Sequence, residues 1–335
     1  MTVHPHTRFE LPEALNAGEP PEARGVSRDQ VKLLVAEGST ITHTRFDRIG
    51  DHLRAGDLLL VNTSRTMPAA VDGPKYAVHF SAALDDGTWV VELRRDGGPM
   101  FDGSVGERVD VPEGAVTLLA PYQSGSNRLW IAKPPTDDVL GYLQRNGRPI
   151  TYNYVGQRWP LATYQTVFAR DIGSAEMPSA ARPFSFELVS QLAARGVLIA
   201  PILLHCGVSS LESYEAPPAE RYDVPAHTAR LVSWVRANGG RVIAVGTTAV
   251  RAIESVVDGD GVVSPSRGWT ELVLSPERPP RVVDGLITGW HAPEASHLLL
   301  LESVAGPGQV QAAYDAAVTN NYLWHEFGDS CLLLR

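Results

Sequence analysis

The chain has 335 residues, of which 44% are apolar and 20% charged, and this balance excludes a disordered or collagen-like polymer. The length suffices for about two domains with a core of their own. A net charge of −9 speaks against a protein whose main task is to grip nucleic acid non-specifically, while leaving room for a local basic patch.

Only Lys32, Lys75 and Lys133 are lysines among the 29 basic residues, which we read as coding bias of a GC-rich genome. Two separated cysteines, Cys206 and Cys331, exclude a disulfide framework or a cysteine-based zinc site. They fit a reducing compartment. Residues 1–8 lack the apolar segment of a secretion signal, and the apolar runs at 197–204 and 298–301 are too short to span a bilayer. A cytoplasmic protein without membrane contact is expected.

In chain order, residues 30–35 read as a strand, and the apolar run 57–62 as a strand buried on both faces that stops at Asn62-Thr63-Ser64-Arg65. From 66 to 155 the texture changes. Short alternating runs at 77–83, 88–93, 108–111, 115–119 and 128–131 are separated by Gly/Asp turns, among them Asp85-Asp86-Gly87 and Ser124-Gly125-Ser126. That spacing predicts a small all-β barrel or sandwich, with one helix over 137–146. Further on, helices at 186–195, 225–238, 247–257 and 309–321 accompany strands at 197–204 and 241–245. The expected fold is an α/β domain with a largely parallel sheet, residues 1–65 and 156–335, interrupted by a barrel-like insert at 66–155.

The strongest local signal is the strand 241–245 running into Gly246-Thr247-Thr248 and a helix carrying Arg251 and Glu254. Free N–H groups and the positive end of the helix dipole there suit a carboxylate or phosphate. An ordinary helix cap with a surface Arg–Glu pair is the plainer alternative. His205 ends a buried strand and His291 lies in the loop Gly289-Trp290-His291-Ala292-Pro293; each is a candidate acid or base, or alternatively a satisfied or solvated histidine. His297, at an apolar helix start, reads as structural. No His/Cys/carboxylate spacing matches a metal site, so no metal is expected. The phosphate-binding, dinucleotide and serine-hydrolase glycine motifs are absent as well.

Seven ordered segments then carry a resemblance: Phe9-Glu10-Leu11-Pro12, the stretch 56–69, Tyr164-Gln165-Thr166-Val167-Phe168-Ala169, the stretch 246–255, the stretch 282–288, His291 with Pro293, and Phe327-Gly328-Asp329. Together they resemble the S-adenosylmethionine:tRNA ribosyltransferase-isomerase family of queuosine biosynthesis. The resemblance runs over nearly the whole chain and is weak in the β insert. It implies an α/β domain with an inserted β-barrel. It also implies transfer of the ribosyl part of S-adenosylmethionine to 7-aminomethyl-7-deazaguanine in tRNA, with no metal.

The sequence departs from the family pattern at several places. Pro183 stands where the family has His, in Pro178-Ser179-Ala180-Ala181-Arg182-Pro183-Phe184. Gly207-Val208-Ser209-Ser210-Leu211 replaces Gly-x-Gly-Thr-Phe. The His-rich segment that follows is shortened to 213–220 without histidines, and Leu323 and Glu326 replace an Arg and a Ser. The last change weakens any phosphate-binding role there.

The expected reading is therefore an S-adenosylmethionine-using enzyme of this kind, acting as a monomer with tRNA as acceptor. The alternatives are an enzyme acting on a small molecule or on S-adenosylmethionine itself, and a non-catalytic adenosyl-ligand-binding protein. Thr247, Thr248 and Arg251, with Gly246 at the turn, would hold an anion. His205 or His291 would be the base, with Glu254 or Asp329 as orienter or alternative base. Tyr164, Gln165, Asn62 and Arg65 are further binding candidates.

Overall fold

The computed structural model describes residues 4–123, 126–209 and 217–335. The Ser124-Gly125 part of one expected turn, Ser210 and Leu211 of the altered glycine motif, and residues 213–216 of the shortened segment 213–220 lie outside these residues.

Two sheets dominate. The larger runs in the order Ser266–Thr270, Glu220–Val224, Leu198–Leu204, Leu58–Asn62, Val242–Val245, Gly285–Thr288, Ser330–Leu334, Lys32–Glu37, Thr40–Arg45. Its centre is parallel: Leu58–Asn62 pairs with Leu198–Leu204 on one side and Val242–Val245 on the other, and the latter pairs with Gly285–Thr288. The apolar runs are continuous because both faces are covered. Leu58 and Leu60 belong to one core and Leu59 and Val61 to the other, and Val242 to Val245 alternate in the same way.

The sheet is mixed rather than largely parallel as expected. Lys32–Glu37 and Thr40–Arg45 form a hairpin turned at Gly38, whose φ of 58° lies in the left-handed region. Ser330–Leu334 runs antiparallel to Gly285–Thr288, and the strands Glu220–Val224 and Ser266–Thr270 extend the other edge antiparallel.

The second sheet is a curled antiparallel half-barrel. Its order is Gly147–Arg148, Ala70–Asp72, Ala77–Ala83, Trp89–Arg95, Ser126–Lys133, Gly114–Gln123, Arg108–Val111, so its two end strands do not pair with each other. The helix Val139–Asn146 packs Val139, Tyr142 and Leu143 into its core, and the Tyr142 hydroxyl donates to the Pro112 carbonyl at 2.9 Å. The Asp138 side chain caps that helix on Gly141 N–H. Inside the half-barrel Glu92 accepts from Arg94 at 2.8 Å and from Arg128 at 2.7 Å, so its buried charge is paired.

Among the described residues no helix is long and apolar enough to cross a membrane, and no group of three or more His, Cys, Asp or Glu could hold a metal ion.

Candidate active site

Four neighbouring parallel strands end on the same side of the large sheet, where loops following strands in such sheets form crevices. After them come Cys206-Gly207, Ser64–Thr66, Gly246-Thr247-Thr248 and Gly289-Trp290-His291, and all four segments contribute to one cavity of about 430 Å³. Because Ser330–Leu334 runs antiparallel to Gly285–Thr288, the residues just before it, His325 and Glu326, reach the same cavity. The chain leaving the half-barrel adds Ile150, Tyr152 and Tyr154.

Gly246 turns the chain at a φ of 93°, and helix Thr247–Glu254 starts at the cavity. Asn62 does not line the cavity. It is fully buried, accepts from Ser64 N–H at 3.0 Å and Leu204 N–H at 3.1 Å, and donates to Thr248 Oγ1 at 3.2 Å. Asn62 thus ties two strand ends to the helix start.

Arg251 lines the cavity, but its guanidinium is committed. It pairs with Glu220 and donates to the carbonyls of Leu272 at 3.0 Å and Thr270 at 3.2 Å. Glu254 does not pair with Arg251. Its carboxylate takes the backbone N–H groups of Arg281 and Val282, both at 2.9 Å, and Val283 at 3.1 Å, which fastens that loop to the helix. Asp329 is used in the same way, by Lys32 N–H and Leu323 N–H, each at 2.8 Å. Neither carboxylate lines the cavity.

The two candidate bases are placed differently. His205 sits outside the cavity lining, its Nδ1 2.7 Å from Ser64 Oγ. A side chain at Gly173 would collide with its ring. Burial first, then the Arg221 charge, lowers its pKa to about 4. His291 lines the cavity with Nε2 3.0 Å from Thr288 Oγ1, and stacks on His297 at 4.5 Å between ring centres. Burial holds His291 well below the ordinary histidine range and His297 at about 4, so both rings are neutral at pH 7. His297, which reads as structural in the sequence, is part of the cavity lining.

Tyr164 lines the cavity with a buried hydroxyl that has no protein partner, and Thr66 Oγ1 and Trp290 Nε1 are alike in this. Buried polar atoms are ordinarily hydrogen-bonded, so three without a partner among the residues of one cavity wall stand out. Gln165 stays outside, its amide exchanging two hydrogen bonds with the Thr66 backbone at 2.9 and 3.2 Å, and Arg65 is exposed.

Several lining residues went unnoticed in the sequence. Glu176 and Glu220 are half-buried carboxylates whose pKa is raised by desolvation, and Glu326 is pushed by burial to about 6. Tyr152, Tyr154 and His325 form a stack, with ring centres 6.0 and 4.1 Å apart. These residues come from separate segments, and no spacing rule joins them. The one available signal was Glu326, a charged residue where the resembled motif has Ser.

Over residues 5–333 the sequence matches the profile of a family described as queuosine biosynthesis protein. The chain belongs to the queuosine biosynthesis protein family. Similar proteins include the S-adenosylmethionine:tRNA ribosyltransferase-isomerase of Symbiobacterium thermophilum, 33% identical with 97% of this chain and 98% of that protein covered. The protein of that name from Gloeobacter violaceus is 32% identical, covering 97% and 94%. Among solved structures, the S-adenosylmethionine tRNA ribosyltransferase of Thermotoga maritima matches with a TM-score of 0.56 at 27% identity, covering 98% of this chain and 99% of that one. Pro183 lines a small cleft that His325 and Glu326 also border.

Proposed function

We propose that this protein is an S-adenosylmethionine:tRNA ribosyltransferase-isomerase. It moves the ribosyl part of S-adenosylmethionine onto 7-aminomethyl-7-deazaguanine in tRNA, rearranges the sugar to an epoxycyclopentane, and releases adenine and methionine. The observation that carries this reading is the cavity shared by the ends of the parallel strands, in a chain that matches relatives of that name over 97% of its length. Its lining suits these substrates. Helix N–H groups at Thr247 and Thr248 suit a carboxylate, while Glu176 and Glu326 answer the cationic sulfonium and the cationic amine.

Within this reading the residues take distinct roles. The N–H groups at Thr247 and Thr248 bind the methionine carboxylate. Arg251, with its donors already taken, shapes the wall. His291 is the base. The sulfonium acidifies the adjacent 5′ carbon, and the neutral imidazole accepts that proton while the Thr288 hydroxyl orients the ring. His205, Glu254 and Asp329 hold the strand ends and loops in place. Tyr164, Thr66 and Trp290 form part of the wall around the substrates.

A net charge of −9 is compatible with tRNA as substrate, because only one nucleotide has to enter the cavity. The domain division supported best is an α/β domain of residues 1–65 and 156–335 with the half-barrel of 66–155 inserted, acting as a cytoplasmic monomer without a metal.

The test incubates the protein with S-adenosylmethionine alone and with tRNA carrying the deazaguanine, following adenine and methionine by mass spectrometry. Release that depends on tRNA is expected. Release without tRNA would instead favour an enzyme acting on S-adenosylmethionine itself or on a small molecule. Binding without release under either condition would favour a non-catalytic adenosyl-binding protein.

A further inference from the structure

The three glutamates of the cavity lining are not equally engaged. Glu220 is ion-paired with Arg251 and takes Gly207 N–H at 3.1 Å. Glu176 takes Ser209 N–H at 2.8 Å, Ser209 Oγ at 2.5 Å and the Tyr152 hydroxyl. Glu326 takes the Tyr154 hydroxyl and its own backbone N–H, and has no ion-pair partner among the described residues. A half-buried carboxylate with lone pairs to spare is costly unless a cation arrives.

The surroundings of Glu326 narrow the kind of cation. Tyr154 stacks on His325 with ring centres 4.1 Å apart and planes 13° from parallel, and Tyr152 continues the stack at 6.0 Å. His325 is held in place by Asn16 Oδ1 at 2.6 Å, and burial keeps its ring neutral at pH 7, so it does not compete as a counter-ion. Flat aromatic faces beside one unpaired carboxylate match a planar heterocycle bearing an ammonium on a short arm.

We propose that Glu326 and the Tyr154–His325 stack form the subsite for the amine-bearing ring of the acceptor, with the carboxylate paired to the ammonium and the ring lying against the aromatic faces. This rests on the acceptor named in the proposed function. Glu326 then takes one proton from the ammonium. The carboxylate becomes the neutral acid, and the amine is left with its lone pair. Tyr152 and Glu176 position the stack.

The experiment measures, by calorimetry on the full-length protein, binding of free 7-aminomethyl-7-deazaguanine and of its 7-methyl analogue, for the wild type and Glu326→Gln. The wild type is expected to prefer the amine about tenfold or more, the size of a charge-assisted hydrogen bond. Glu326→Gln, which can still accept from Tyr154, is expected to lose that preference and to bind the methyl analogue as the wild type does. A preference that survives in Glu326→Gln, or is absent from the wild type, overturns the subsite. Adenine release with tRNA, measured on the same wild-type preparation, tests the parent reading separately. A preserved amine preference without release sinks the function alone, and release without the preference sinks the subsite alone.

Discussion

At the ends of the parallel strands, Gly246, Thr247, Thr248 and His291 follow directly on fully buried strands, and what they present is N–H donors, hydroxyls and neutral rings. The wall formed by Tyr152, Tyr154, Glu176, His325 and Glu326 is gathered from three distant segments and presents carboxylates and flat rings. One cavity therefore has a donor-rich region and an acidic, aromatic one. A second contrast sharpens the first. Glu254 and Asp329 are taken by backbone N–H groups of other segments and hold loops, whereas Glu326, in the cavity lining, takes only the Tyr154 hydroxyl and its own N–H. What separates these acidic residues is which donors the fold gives them: backbone N–H groups of distant loops, or a hydroxyl of the cavity wall.

The largest effect should come from the donor-rich region. Replacing His291 by Ala is expected to lower turnover with tRNA by about a hundredfold or more, the usual range for a lost general base, with S-adenosylmethionine affinity within a few-fold. An equal loss in affinity, seen by calorimetry, would make His291 a binding residue instead. Asp329→Asn should separate architecture from chemistry. Loss of one of the two backbone hydrogen bonds is expected to reduce stability by about 1–3 kcal/mol in denaturant titration. Affinity for S-adenosylmethionine should stay unchanged.

The acidic region predicts a pH dependence. With Glu326 at about 6, beside Tyr154, Glu176 and Arg182, the carboxylate form is present above that pH. Turnover for the acceptor should then fall as pH drops through about 6, and Glu326→Gln should lack that limb. Stability should respond more gently. His205, His297 and His325, at about 4 when folded, protonate near 6.5 when unfolded, so the unfolded state binds more protons between those values. Thermal unfolding is expected to move to lower temperature as pH falls from 6.5 towards 4. Glu326, with its raised pKa, opposes this in part between about 6 and 4.5.

Much of this was legible where one segment carries the whole signal. The strands Leu58–Asn62 and Val242–Val245 announce themselves as uninterrupted apolar runs because helices or loops cover both faces. The glycine turn into helix Thr247–Glu254 is local too, and so the donor-rich region could be read. The strand Thr40–Arg45 could not, because it is an edge strand with no buried residue and a polar sequence. Glu220–Val224 carries three charged residues in five, and Ser330–Leu334 is a short run at the chain end; both are strands only through their partners. For the same reason Tyr152, Glu176 and Glu326 escaped notice as a group, since their meeting depends on how the half-barrel packs against the large sheet. Arg251 and Glu254 read as an anion-binding cation and a helix-face pair, yet their partners lie 31 and up to 29 positions away along the chain.

The most direct measurement uses S-adenosylmethionine labelled with ¹³C in its ribose, incubated with the protein and with tRNA carrying 7-aminomethyl-7-deazaguanine, followed by mass spectrometry of the wobble nucleoside. The account predicts that all the labelled ribosyl carbons appear on the base, with one adenine and one methionine released per modified tRNA. Label recovered only in small products, with the nucleoside unchanged, would contradict it.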